Sequence, residues 1–158
     1  MKIINVFSVG FTYLFLGCCA STYGGKVTTD QLNFQKVYEI NNIASDENFD
    51  RTVEWMAVTF VDSREVVELK DRDRGKIIGN GIVEFKDVVN ISECKFMVTI
   101  EIKDNRFRIT FSNYLWLGTS FGNIPLDKKY HVDQVNTSFL NMSDNLFNFI
   151  INYSDDTW

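Results

Sequence analysis

Alternation of apolar and polar positions is clearest between residues 95 and 113. Phe96, Val98, Ile100 and Ile102 alternate with Lys95, Met97, Thr99, Glu101 and Lys103, and Phe107, Ile109 and Phe111 alternate with Arg106, Arg108, Thr110 and Ser112. Successive side chains of a strand point to opposite faces, so each run has one apolar face. A two-residue turn at Asp104-Asn105 pairs Ile102 with Phe107, Ile100 with Ile109 and Val98 with Phe111, and sets Glu101 opposite Arg108 on the other face. A slip of one residue would bury charge and expose the apolar set. The spacing therefore predicts this hairpin in this register.

Residues 33–40 form a further strand, with Phe34, Tyr38 and Ile40 on one side. A helix is expected over residues 46–61. Ser45 is its N-cap, and Asp46 and Glu47 suit the positive end of the helix dipole. Its buried stripe is Phe49, Val53, Met56, Ala57 and Phe60, at helical spacing. Residues 65–69 make a short strand. Asp71-Arg72-Asp73-Arg74-Gly75 makes a charged turn. A longer strand follows over residues 76–85, and Gly79 and Gly81 inside it suggest a bulge or bend. A final helix covers residues 132–152, with a seam of Val132, Val135, Phe139, Met142, Leu146, Phe149 and Tyr153 and a break expected near Ser143.

The order is strand, helix, four strands, helix (β-α-β-β-β-β-α). It predicts an α+β fold in which a curved antiparallel sheet carries both helices on one face.

The first residues read differently. Residues 3–17 are apolar, follow Lys2 and contain no acid. The run is short for a spanning helix and fits the core of an export signal. Its end, Leu14-Phe15-Leu16-Gly17-Cys18, resembles the lipobox of bacterial lipoproteins, with Phe15 where Leu is usual. That resemblance implies cleavage before Cys18 and a lipid on its sulfur, with Cys19 the second candidate. A plain signal peptide or a short N-terminal anchor are the alternatives, and all three place the domain outside the cytoplasm. The chain then divides into a signal at 1–17, a polar, glycine-containing tether at 18–32, one domain at 33–153 and a short tail at 154–158.

Composition adds bounds. The 158 residues include 45% hydrophobic and 15% aromatic side chains, enough for one bulky core. The net charge is −5, and loss of residues 1–17 removes Lys2 and no acid. An acidic chain is a poor non-specific binder of phosphate backbones. The outward hairpin face mixes Lys95, Lys103, Arg106 and Arg108 with Glu101, so no nucleic-acid partner is expected. Three cysteines, two of them adjacent, make no disulfide framework, and Cys94 reads as a small strand residue.

Several short stretches carry a further resemblance: Phe34-Gln35-Lys36-Val37-Tyr38-Glu39-Ile40, the span from Phe49 through Trp55 with Phe60, Val66-Val67, and Asp73-Arg74-Gly75-Lys76-Ile77-Ile78-Gly79-Asn80-Gly81. Through them the chain resembles a bacterial family of domains of unknown function with a TBP-like fold, after the half-domain of the TATA-binding protein. The resemblance covers roughly residues 33–116. It implies the fold and an exported, often lipid-linked location. It brings no catalytic residues, and a shared fold does not license a shared function.

Candidate chemistry is sparse. Asp71–Gly75 lacks the third oxygen ligand and the closing glutamate of a calcium loop, since Gly75 and Ile82 stand there. Gly79-Asn80-Gly81 lacks the third glycine of a dinucleotide site. His131 is the single histidine and reads as a surface residue near the last helix. No nucleophile motif accompanies it, so no catalytic residue, metal or cofactor is expected. Tyr114-Leu115-Trp116-Leu117 with Phe121 follows the last strand, where alternation ends. Either it packs over one end of the core, or Tyr114, Trp116 and Phe121 form an exposed patch for a partner.

The expected function is that of an envelope protein facing the periplasm or cell exterior. Its membrane contact is the N-terminal lipid, and it binds an envelope protein or small ligand without catalysis. A hydrolase using carboxylates gathered from separate elements is the alternative.

Overall fold

The computed structural model describes residues 25–28, 31–60, 66–119 and 122–153. The elements run β1 (Asn33–Glu39), α1 (Ser45–Thr59), β2 (Val66–Asp71), β3 (Lys76–Asp87), β4 (Asn90–Lys103), β5 (Arg106–Thr119), β6 (Gly122–Pro125) and α2 (Lys129–Ile151). All strand pairs are antiparallel. The sheet order is β1-β5-β4-β3-β2, with β6 also on β5. β1 pairs with the first half of β5 and β6 with the second. The expected α+β architecture is therefore correct, with one strand more than the pattern predicts. β6 is short, Gly122-Asn123-Ile124-Pro125, and has no alternation to read.

The β4–β5 hairpin has the expected register: Ile102↔Phe107, Ile100↔Ile109, Val98↔Phe111 and Glu101↔Arg108. Arg108 Nε donates to Glu101 Oε2 at 2.8 Å. Asn105 takes the positive φ of the turn, 59°, which asparagine tolerates.

β5 does not stop where its alternation does. The ladder shifts between Lys95 and Met97, opposite the stretch from Ser112 to Leu115, and Asn113 has φ 56°. One extra residue on a bulged strand reverses the phase of the residues beyond it. Phe107, Ile109 and Phe111 point into the core, and so does Tyr114. The aromatic run is a continuation of β5 with its phase flipped.

β3 pairs with β4 without a shift from Lys76 to Asp87, so its glycines are not bulges; the irregularity lies in β2, between Val67 and Leu69. Gly81 answers a steric need instead. A Cβ there would stand 2.4 Å from Phe96 Cζ and 2.6 Å from Phe60 Cε1.

Both helices cover the apolar face. α1 buries Asn48, Phe49, Thr52, Trp55 and Met56, while Ala57 is exposed. Its buried face is rotated from the expected stripe because Trp55 turns inward, and its Nε1 donates to Asn145 of α2 at 2.7 Å. The N-cap is Ala44, without a side-chain bond. The Ser45 N–H donates instead to Asp104 Oδ1 of the β4–β5 turn, at 3.1 Å. α2 is unbroken. Ser143 is buried inside it and its hydroxyl donates to the Phe139 carbonyl at 2.7 Å. Phe139 sits at the centre of the core, stacked on Phe111 with ring centroids 4.3 Å apart and contacting Phe96 at 4.8 Å.

Candidate functional site

The β3–β4 hairpin extends past the end of the β4–β5 ladder. That ladder begins at Cys94↔Trp116, whereas β3 and β4 stay paired out to Asp87↔Asn90. β5 beyond Trp116 pairs with β6, Trp116 facing Ile124. Between the two ends lies an open groove of about 850 Å³, lined by Glu84, Asp87, Ile91, Glu93, Trp116 and Ile124 among others. Trp116, Leu117, Ile124 and Ile91 give it apolar walls. Glu84 and Glu93 stand opposite one another on the ladder, an arrangement that like charges disfavour.

His131 anchors one side. It is 2% exposed, contrary to the surface position its sequence context suggests. The cause is local: its ring lies 4.8 Å from Phe85, 5.1 Å from Trp116 and 5.8 Å from Tyr130. Nε2 is 3.0 Å from Asp87 Oδ1, and Lys128 Nζ approaches the same oxygen at 3.9 Å. Burial lowers the histidine pKa from 6.5, against the opposing pull of the Asp87 charge. The ring is therefore neutral at pH 7, donating Nε2–H to the carboxylate. Its Nδ1 is buried and has no hydrogen-bond partner among the described residues. Enclosed by three aromatic rings, this nitrogen has no described hydroxyl or thiol bonded to it. The pair acts as a strut that holds the end of β3 against the start of α2.

Of the residues singled out in the sequence, Trp116 is half-buried and forms a groove wall. Tyr114 is buried, and its hydroxyl donates to Asn136 Oδ1 at 3.1 Å. The core reading thus describes Tyr114, which removes it from any partner-binding patch. Phe121, Cys18 and Cys19 lie outside the described residues. Asp87, Ile91 and Ile124 had no sequence signal, because three separate elements bring them together. Part of the stretch read as a tether is joined to the fold: Val27 N–H donates to the Asp127 carbonyl at 2.8 Å, Lys129 N–H to the Gly25 carbonyl at 2.9 Å, and Leu32 is buried.

Two other surfaces are smaller or more fully paired. The uncovered face of the sheet carries an uncharged row, Gln35, Thr110, Thr99 and Ile78, beside a charged row, Arg108, Glu101 and Lys76. A dip in it near Val37 and Arg108 is about 280 Å³. Lys36, Tyr38 and Asp144 form a cluster joining β1 to α2, in which Lys36 Nζ lies 2.8 Å from Asp144 Oδ1. Among the described residues no three His, Cys, Asp or Glu side chains are grouped to hold a metal ion, and no helix is long and apolar enough to cross a membrane.

Residues 34–115 match the family described as a domain of unknown function (DUF4468) with TBP-like fold. Two solved structures share the fold. A TBP-like protein from Parabacteroides distasonis has a TM-score of 0.64 at 17% identity, covering 82% of this chain and 96% of its own. A DUF4468 family protein from Bacteroides ovatus has a TM-score of 0.60 at 11% identity, covering 87% and 97%. No curated protein matches by sequence.

Proposed function

The chain belongs to the DUF4468 family, domains of unknown function with a TBP-like fold, and from that premise we propose that it is an exported, lipid-anchored envelope module. In this reading it binds a peptide or small ligand without catalysis. The groove at Trp116 carries the proposal. It combines apolar walls with the carboxylate of Glu84, the mixture that orients a ligand bearing an apolar group and a positive charge. Its open shape and the extended backbone of β4 beside it suit a stretched peptide segment. Export and anchoring rest on the apolar run ending at Cys18.

The two halves are tested separately. Mass analysis of the mature N-terminus should find acyl chains on Cys18, and Cys18→Ser should abolish them. A native Met1 without lipid would reject the anchor. A photo-crosslinking side chain at Leu117 should capture one defined partner in intact cells, and the same group at Lys103 should not. Ile91→Ser, at a residue 68% exposed, should weaken that capture while preserving the fold. Equal capture from both positions would reject the groove.

A further inference from the structure

The β3–β4 turn is built from residues that neither the backbone nor the core requires. Asp87 pairs with Asn90, so Val88 and Val89 alone form the loop. Val88 has φ 50°, a conformation that β-branched residues avoid and that glycine fills in such turns. Val88 is 90% exposed, Val89 88% and Ile91 68%. The tip is thus both strained and apolar in water. Strain kept at an exposed position points to a role outside the isolated fold.

The N-terminal segment supplies the second observation. It joins the fold at the same end, through Gly25 on Lys129, Val27 on Asp127 and a β-bridge between Lys26 and Lys128. Lys128 also reaches Asp87, the residue that opens the turn. Only residues 19–24 separate Cys18 from this docking point, and at roughly 3.5 Å per residue they span about 25 Å at most. A lipid on Cys18 would hold the turn end of the molecule close to the bilayer. Lys26, Lys128 and Lys129 are paired with Asp127, Asp87 and Asp133. Basic charge therefore does not distinguish this end, and the apolar tip does.

We propose that Val88 and Val89 enter the interfacial layer of the membrane to which the chain is tethered. The inference rests on the lipid-anchored reading. Burial of the tip would fix how the domain stands on the bilayer, with the Trp116 groove opening along the lipid surface. Interfacial contacts of this kind strengthen with the apolar area buried.

The test uses the full acylated chain carrying Cys19→Ser, reconstituted in protein-free vesicles of phosphatidylethanolamine and phosphatidylglycerol. An environment-sensitive fluorophore is attached at Val89→Cys or, for comparison, at Lys103→Cys in the opposite turn region. Nitroxide-bearing lipid should quench the first about twofold or more beyond the second. Equal quenching on an acylated chain would overturn the tip and leave the anchor standing. A chain without acyl mass would overturn both. Protection of the Val89→Cys label in native envelopes, but not in protein-free vesicles, would overturn insertion in favour of a protein partner.

Discussion

His131 Nε2 and Asp87 Oδ1 lie 3.0 Å apart, joining the first turn of α2 to the last residue of β3. Around this contact Phe85, Trp116 and Tyr130 exclude water from the ring. Exclusion outweighs attraction, and the imidazole is harder to protonate than in the unfolded chain.

Protonation of this ring therefore opposes folding. A histidine whose folded pKa lies below 6.5 binds its proton more readily when unfolded. Its contribution to stability is whole above 6.5 and declines as pH falls towards the depressed folded value. Melting temperatures recorded between about pH 7.5 and 5 should drop more steeply in the native protein than in His131→Gln. Parallel curves would refute this account.

Gly81→Ala should destabilise the protein by about 1–3 kcal/mol, the usual effect of overpacking. The new methyl group would press on the Phe60 and Phe96 rings, which are themselves packed in the core. A lower urea midpoint at unchanged slope is the expected result.

Asp104 should matter to a helix distant from it in sequence. It accepts the Ser45 N–H, so Asp104→Ala should cost about 1 kcal/mol, like the loss of an ordinary N-cap. Asp104→Asn keeps an acceptor oxygen and should recover most of that in chemical denaturation.

Cys94 should be inert in the native state. Burial pushes its thiol up to about 12, only partly offset by a backbone hydrogen bond from Leu115. Iodoacetamide at neutral pH should modify it only after urea unfolds the domain. Fast labelling of the folded protein would contradict its burial.

Much of the fold was legible where one residue type repeated on one face. The Phe96–Phe111 hairpin had a single register that satisfied both faces, and α2 had a long apolar seam. Legibility failed where tertiary contacts decided. The bulge at Asn113 hid the continuation of β5, so Tyr114 and Trp116 resembled a loop cluster although they resume the inward phase. Trp55 rotated the buried face of α1 towards Asn145. Ser143 satisfied its hydroxyl within its own helix and left no break. The groove was the least legible feature. Trp116 could be suspected from its size, but Asp87, Ile91 and Ile124 meet it only through the divergence of two hairpins. His131 was misplaced because no local pattern announces a partner at Asp87.

The position of β1 has a consequence for the order in which the protein is made. Glu39 ends its strand opposite Arg106, with no other strand beside it among the described residues. A growing chain emerges N-terminus first, so β1 is complete long before its template exists. Phe34 and Tyr38 must wait in an unpaired segment while the whole central hairpin is synthesised. Late closure of such distant contacts slows folding and exposes sticky surface meanwhile. The first strand to be made is therefore paired only after the fifth has followed it.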